Sequence, residues 1–546
     1  MRGCWYGLVL LHASSSWALG ISNFNISHVS FLNQSLPYEV KTATSLESSD
    51  YDGIVLVSNK VPEDAAYPQP IIKLLQEQSK IDKGFNDDIT LLHSSLPASR
   101  FVYAPTGNMT KEYDDVRSYA EAAKKGIARA LKAGITKPLL ALPSDPNFPK
   151  SEVVTLLGAM EGLYTNLQYR EFKPEIFPKV KVLGIWSPKL DGAGLESVVS
   201  AATTLESARW VARDIGGTDP ERMAPPKVEE YILETFKNTP SIKINIIKDP
   251  KILDKEYPLF SAVNRAASVI DRHQGRVIFL EYEPTSSSPT SSLFLVGKGV
   301  TYDTGGADIK ISGNMAGMAR DKCGAAVVAG FMKAVAMLQP KVRVVGALAV
   351  VRNSCGENSY VSDEVVVSRA GKRIRVTNTD AEGRFAMADV LAHMAEKAKD
   401  AVNPHLFTIA TLTGHACLTV GEGYSIVMDN GPARQENNAV LLSETGEAMG
   451  DPFEISRIRR EDFRFFKSKC EGEDLIQSGM KSSGSNSRGH QGPGAFLIGA
   501  SGLDKFGLDG NQTLKYTHLD IAPSSGDYPQ EPTGRPLVSL ISHYLK

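Results

Sequence analysis

Three charged clusters between residues 296 and 384 interrupt sequence otherwise built for burial. The first runs Val296-Gly297-Lys298-Gly299-Val300-Thr301-Tyr302-Asp303 and continues through Gly305-Gly306 to Lys310. The second is Met318-Ala319-Arg320-Asp321-Lys322-Cys323-Gly324, and the third is Asn378-Thr379-Asp380-Ala381-Glu382-Gly383-Arg384. Apolar runs such as 293–296 and 342–351 lie beside or between them. A charge taken from water must pair or bind metal, because an isolated buried carboxylate is heavily penalised. Asp303, Asp321, Asp380 and Glu382 offer hard oxygen suited to divalent cations. Lys298, if neutral, offers a nitrogen that favours zinc or manganese over magnesium. One ion cannot use so many charged groups, so a pair of ions roughly 3.5–4 Å apart is the economical reading.

Taken singly, each residue has an ordinary explanation. An aspartate near a helix start is usually a cap, and a lone lysine or arginine is usually solvated or paired. The argument for function is their joint placement at the ends of strands. Apolar periodicity predicts strands over 53–57, 101–104, 138–142 and 180–185, and helices over 114–133 and 151–167. This first α/β unit, residues 21–190, carries no catalytic constellation and reads as a structural or assembly domain. Pro and Gly interrupt the pattern near 187–193, where a boundary is expected. The second unit, 191–546, opens with a helix over 198–215 and strands over 242–247 and 276–281. It continues as helix 322–338, strand 342–351, helix 384–398 and strand 406–412. That alternation predicts a larger, mostly parallel sheet flanked by helices, with the chemistry on loops at strand C-termini. Asp380 and Glu382, two apart, are expected to point to one side of an extended loop.

With 60 Lys plus Arg against 62 Asp plus Glu, the net charge of -2 gives no electrostatic case for nucleic acid or an anionic membrane. Five cysteines are scattered without a framework, which suits a reducing compartment, and a cytoplasmic location is expected. The alternative is secretion. Residues 1–20 hold Arg2, a short apolar run and Ala18-Leu19-Gly20, a weak signal-like pattern, and sequons stand at Asn25, Asn33, Asn108 and Asn511. No stretch approaches the roughly 20 apolar residues that span a bilayer.

The heptapeptide Asn378–Arg384 resembles the signature of the leucine (cytosol) aminopeptidase family of dinuclear zinc exopeptidases. The 297–310 segment, the Asp321 cluster, Thr411-Leu412-Thr413-Gly414, His518-Leu519-Asp520-Ile521-Ala522 and Thr533-Gly534-Arg535-Pro536 resemble further family motifs in the same order. The resemblance covers roughly 195–546. It implies a metal-dependent aminopeptidase that removes the first residue of peptides with a free N-terminus. Its implied ligands for two divalent ions (zinc, or manganese or magnesium) are Lys298, Asp303, Asp321, Asp380 and Glu382. Lys310 would be the electrophile, and Arg384 would hold a bicarbonate that shuttles the proton. Met318, Thr411, Leu412 and Gly414 would line the substrate and bicarbonate site, and a homohexamer is implied.

Departures from the family pattern are Ala307-Asp308, Arg320 and Lys322 around Asp321, Pro523-Ser524-Ser525, and Gly216-Gly217-Thr218. Asp308 is expected to add a carboxylate near the site. None removes a ligand, but they leave the preferred side chain open. HExxH, GxSxG and Walker A motifs are absent from the sequence. Cys323 reads as a packing residue, and His415 as a loop histidine or a lining residue of the site. The competing readings are a catalytically silent binding or scaffold protein on the same fold, and a dinuclear phosphoesterase.

Overall fold

The computed structural model describes residues 35–545, apart from 64, 286–287, 312–314 and 480–486. The signal-like segment and the sequons at Asn25 and Asn33 lie outside the described residues.

Six strands form the first sheet: β1 (Glu39–Thr42), β2 (Gly53–Ser58), β3 (Thr90–His93), β4 (Arg100–Pro105), β5 (Pro138–Ala141) and β6 (Val182–Trp186). Their order is β1-β6-β5-β2-β4-β3, parallel except at the β3–β4 edge. β1 lies within residues 21–50, a Ser- and Asn-rich stretch whose sequence shows no apolar period. It is a short polar edge strand, Glu-Val-Lys-Thr, mostly exposed, so it has no buried face to leave a pattern.

The second sheet has eight strands in the order β15-β14-β17-β13-β9-β10-β8-β7. They are β7 (Ile242–Ile247), β8 (Arg276–Tyr282), β9 (Ser292–Asp303), β10 (Arg343–Asn353), β13 (Pro404–Ala410), β14 (Ser425–Asp429), β15 (Phe453–Ile455) and β17 (Lys515–Asp520). The numbers β11, β12 and β16 belong to a small three-stranded sheet at Val365–Val367, Arg373–Arg375 and Leu475–Ile476. The centre of the large sheet, β17-β13-β9-β10, is parallel, and the antiparallel pairings lie toward its flanks. β9 is buried almost throughout, as a parallel strand covered on both faces must be. It runs on to Asp303, so Lys298 sits inside the strand and not beyond its end. The helix Glu382–Ala398 begins two residues earlier than its apolar period suggests. Glu382 is therefore its first residue and not part of an extended loop, an acidic side chain at a helix N-terminus where the dipole favours it.

The helix Gly192–Gly217 also starts early. Its Gly-Ala-Gly opening reads as linker in sequence, but Asp191 accepts a hydrogen bond from the Gly194 amide at 2.8 Å and caps it. This helix packs against Ser151–Leu163 on one side and Cys323–Leu338 on the other. One apolar cluster consequently takes in Val55 and Val102 of the first sheet, Trp210 and Val211 of the helix, and Leu295 and Leu348 of the second sheet.

Candidate metal centre and catalytic cleft

β9 brings Lys298 and Asp303 to the centre of the sheet. The turn Met318–Arg320 delivers Asp321, the start of helix Glu382–Ala398 delivers Glu382 and Arg384, and the segment after β13 delivers Thr411 to Gly414. The expected ligands, Lys310, Arg384, Met318, Thr411, Leu412 and Gly414 all line one cavity of about 950 Å³.

Within it, Lys298 Nζ lies 2.7 Å from Asp321 Oδ1 and 2.9 Å from Glu382 Oε1, and donates to the Thr411 carbonyl at 2.9 Å. Gly383 makes this possible. A Cβ there would stand 2.4 Å from Lys298 Cε, so no larger residue fits beside the lysine stem. Lys310 Nζ pairs with Asp303 Oδ2 at 2.9 Å and with Asp380 Oδ1. Asp303, Asp380 and Glu382 each place a carboxylate oxygen within 4.8 Å of the others. The second oxygen of Asp321 is buried without a hydrogen-bond partner among the described residues.

Four carboxylates against two ammonium groups leave a surplus of two negative charges in a largely buried site. The electrostatics record the crowding. Burial raises the carboxyl of Asp380 to about 7, with Asp303 and Glu382 adding to the rise and Lys310 opposing it. Glu382 and Asp321 are raised as well, by burial first and then by neighbouring carboxylates. Burial works against the ammonium forms of Lys298 and Lys310, but the surrounding carboxylates outweigh it and hold both above the ordinary lysine value. An oxygen-rich, net-negative donor set with an orphaned carboxylate oxygen fits divalent cations.

Arg384 stands apart from the carboxylates. Its guanidinium lies over the rings of Phe466 and Phe496 at 5.6 and 5.8 Å, and Nη1 donates to the Gln477 carbonyl at 2.9 Å. Nε is buried without a partner among the described residues, and burial lowers the group to about 10.

Supporting residues escape a reading by motif. Asn353, at the end of β10, donates from Nδ2 to Asp303 Oδ1 at 2.8 Å and to the Thr379 carbonyl at 3.1 Å. Asp520 accepts from the Leu412 amide at 3.3 Å and the Thr413 hydroxyl at 2.7 Å, fixing the loop after β13. Asp520 lies in the His518–Ala522 motif, whereas Asn353 gives no signal beyond its place at the end of an apolar run. Asp308 does not line the cavity. It accepts from the Thr379 amide at 2.7 Å, and its own amide donates to the Thr379 hydroxyl at 2.8 Å, clipping two site loops together. The turn at Gly305 (φ 90°) and Gly306 (φ 67°) folds the chain back for this contact. Lys322 turns away from the cavity and is buried, donating to the Thr218 carbonyl at 2.8 Å and to the Ala319 carbonyl. Cys323 is buried packing, and His415 lines the cavity.

Comparison with known proteins bears on the fold and the family. The solved leucyl aminopeptidase of Trypanosoma cruzi superposes with a TM-score of 0.76 at 17% identity, covering 95% of this chain and 99% of that one. The bottromycin maturation enzyme BotP in complex with Mn superposes at 0.72 and 20% identity, over 90% and 98% of the two chains. In sequence, the Caenorhabditis elegans protein named "Putative aminopeptidase W07G4.4" is 43% identical over 521 residues, 94% of this chain and 98% of that one. Residues 210–541 match the catalytic domain of the cytosol aminopeptidase family. The chain is a member of the cytosol aminopeptidase family, a metal-dependent exopeptidase fold whose charged clusters meet in one cleft.

Proposed function

We propose that this cleft hydrolyses the N-terminal residue from peptides, with Asp303, Asp321, Asp380 and Glu382, and Lys298 in its neutral form, holding two divalent ions. The ammonium form that the carboxylates favour without metal has no lone pair, so metal uptake must release its proton. The observation that carries the reading is the buried surplus of carboxylate beside Lys310 and Arg384 in an open cavity. Asp303, Asp380 and Glu382, whose carboxylate oxygens lie within 4.8 Å of one another, would form the centre of the donor set, with Lys298 and Asp321 beside them. Zinc, manganese or magnesium suits the oxygen donors, and the Mn in the BotP structure favours testing manganese first. When bound, such ions would supply Lewis-acid activation of water and a site for a free α-amine.

The chain's own residues do the rest. Lys310, kept as ammonium by its carboxylate neighbours, donates to the oxygen of the scissile carbonyl as charge develops on it. Arg384 cannot act as a base, since it stays protonated. Its buried guanidinium, with Nε unpartnered among the described residues, would hold bicarbonate, which supplies a proton acceptor when bound. Met318, Thr411, Leu412 and Gly414 would shape the pocket for the substrate and the bicarbonate. Cytoplasmic location and a homohexamer are further parts of this reading, checked by cell fractionation and by light scattering.

The test is hydrolysis of aminoacyl-coumarin substrates by purified protein with Mn²⁺ or Zn²⁺, together with metal analysis. Turnover that needs metal and a free amine supports the reading. Two bound ions without turnover on any aminoacyl substrate would favour a silent binding protein instead.

A further inference from the structure

A second concavity, about 570 Å³, adjoins the catalytic cleft and is lined by Arg434, Arg457, Ile458, Arg459, Arg460 and Glu461. Glu461 lines both. Of the four arginines only Arg460 has an ion pair among the described residues, with Glu461 at 2.7 Å. Arg434, Arg457 and Arg459 are exposed, line the same hollow and outnumber its one carboxylate, Glu461. The helix Arg460–Phe465 leads from it into the cleft, where Phe465 and Phe466 line the wall beside Arg384. Six helical residues span roughly 9 Å, the reach of about three residues of extended peptide.

We propose that this arginine hollow is a carboxylate-binding extension of the cleft, which makes short acidic peptides preferred substrates. The inference rests on the peptidase reading and names its substrate class. Guanidinium groups recognise carboxylates by paired N–H donors, so either an Asp or Glu side chain or the peptide's own C-terminal carboxylate satisfies the hollow. The N-terminal residue sits among the carboxylates of the cleft, and the negative charge belongs two to four residues further on. Net-negative cleft and positive hollow thus orient a peptide with its amine inward and its acid outward.

The experiment compares tetrapeptides sharing one N-terminal residue and ending in Glu, in Gln, or in either residue as the C-terminal amide. The wild-type enzyme is expected to favour the Glu acid over the Gln amide about ten-fold in kcat/KM at low salt, with the advantage shrinking as salt screens it. The single-carboxylate peptides separate the side-chain contribution from that of the terminus. Arg457→Glu with Arg459→Glu should abolish or invert the ranking and leave aminoacyl-coumarin hydrolysis unchanged, since that substrate carries no carboxylate. Equal rates for all four peptides in the wild type, or a ranking untouched by the double variant, would overturn the proposal. Failure of the wild type on aminoacyl-coumarins would instead sink the peptidase reading. Calorimetric binding of the same peptides to wild type and double variant then still decides whether the hollow takes carboxylates.

Discussion

Two groups of buried charges, one on the helix Gly192–Gly217 and one in the cleft, meet the same penalty in opposite ways. Asp214 receives four donors: Arg170 through Nη1 at 3.1 Å and Nη2 at 2.7 Å, and the hydroxyls of Tyr164 and Tyr231 at 2.9 Å each. Glu206 receives Arg209 Nε at 2.7 Å and Arg213 Nη1 at 2.6 Å, and Glu161 draws in the same two arginines. Three arginines, with Lys124 at the exposed edge of Glu161 at 2.6 Å, face three carboxylates, so every carboxylate is compensated, and Asp214 has no idle oxygen. In the cleft four carboxylates face two lysines, and among the described residues an oxygen of Asp321 has nothing to accept from. Balance marks charge that holds the fold together. Imbalance marks charge kept for something that arrives from outside.

The largest effect should come from the unbalanced group. Glu382→Gln is expected to take peptidase activity to background and lower metal content below two ions per chain. The metal-free protein should be no less stable, because a repelled carboxylate has gone. Two ions per chain with normal turnover in that variant would break the distinction. For the balanced group the expectation is reversed. Asp214→Ala strands Arg170 in the interior and should cost about 3–5 kcal/mol in denaturant unfolding, whatever the metal concentration. A loss under 1 kcal/mol would mean that the helix network holds nothing together.

Lys310 belongs to both kinds, pairing with carboxylates now and with a developing oxyanion during turnover. Lys310→Met should therefore retain metal and lose on the order of 10²–10³ in kcat. Wild-type kcat would remove its catalytic role.

A smaller effect concerns buried groups that avoid charge altogether. Burial holds His518 down to about 3 and His405 well below its usual value, so both stay neutral in the fold. Their folded pKa values are depressed below the unfolded one near 6.5. Stability is then complete above that pH and is lost as pH falls toward 3, by up to about 1.4 kcal/mol per pH unit for each histidine. Unfolding titrations at pH 7, 6, 5 and 4 check the slope, and a flat profile would show that these histidines titrate freely.

The unbalanced group was legible in sequence because its charges interrupt apolar runs and lie within short motifs. Asp303, Asp321, Asp380, Glu382, Lys298 and Lys310 could all be picked out, and the cleft contains them all. What sequence could not show was three-dimensional pairing. Arg170 and Asp214 stand 44 residues apart. Nothing in either neighbourhood distinguishes them from solvated surface charges. Asn353 supports Asp303 across 50 residues and is equally silent. Asp308 looked like an added site carboxylate because it is near Lys310 in the chain, yet the turn at Gly305 directs it onto Thr379. The start of the Gly192–Gly217 helix was hidden because its glycines resemble a linker, and only the Asp191 cap reveals it.

That helix also governs how the molecule comes apart. Its apolar side belongs to a cluster that includes both sheets, and its charged side carries the balanced network. Neither half can shed it without exposing the other's interior. A gene fragment beginning after residue 191 would keep every ligand of the cleft yet lack the wall against which Trp210 and Val211 rest. Such a fragment should aggregate, not fold into a smaller peptidase. Heating the whole chain should accordingly give one melting event in calorimetry, with both sheets lost together.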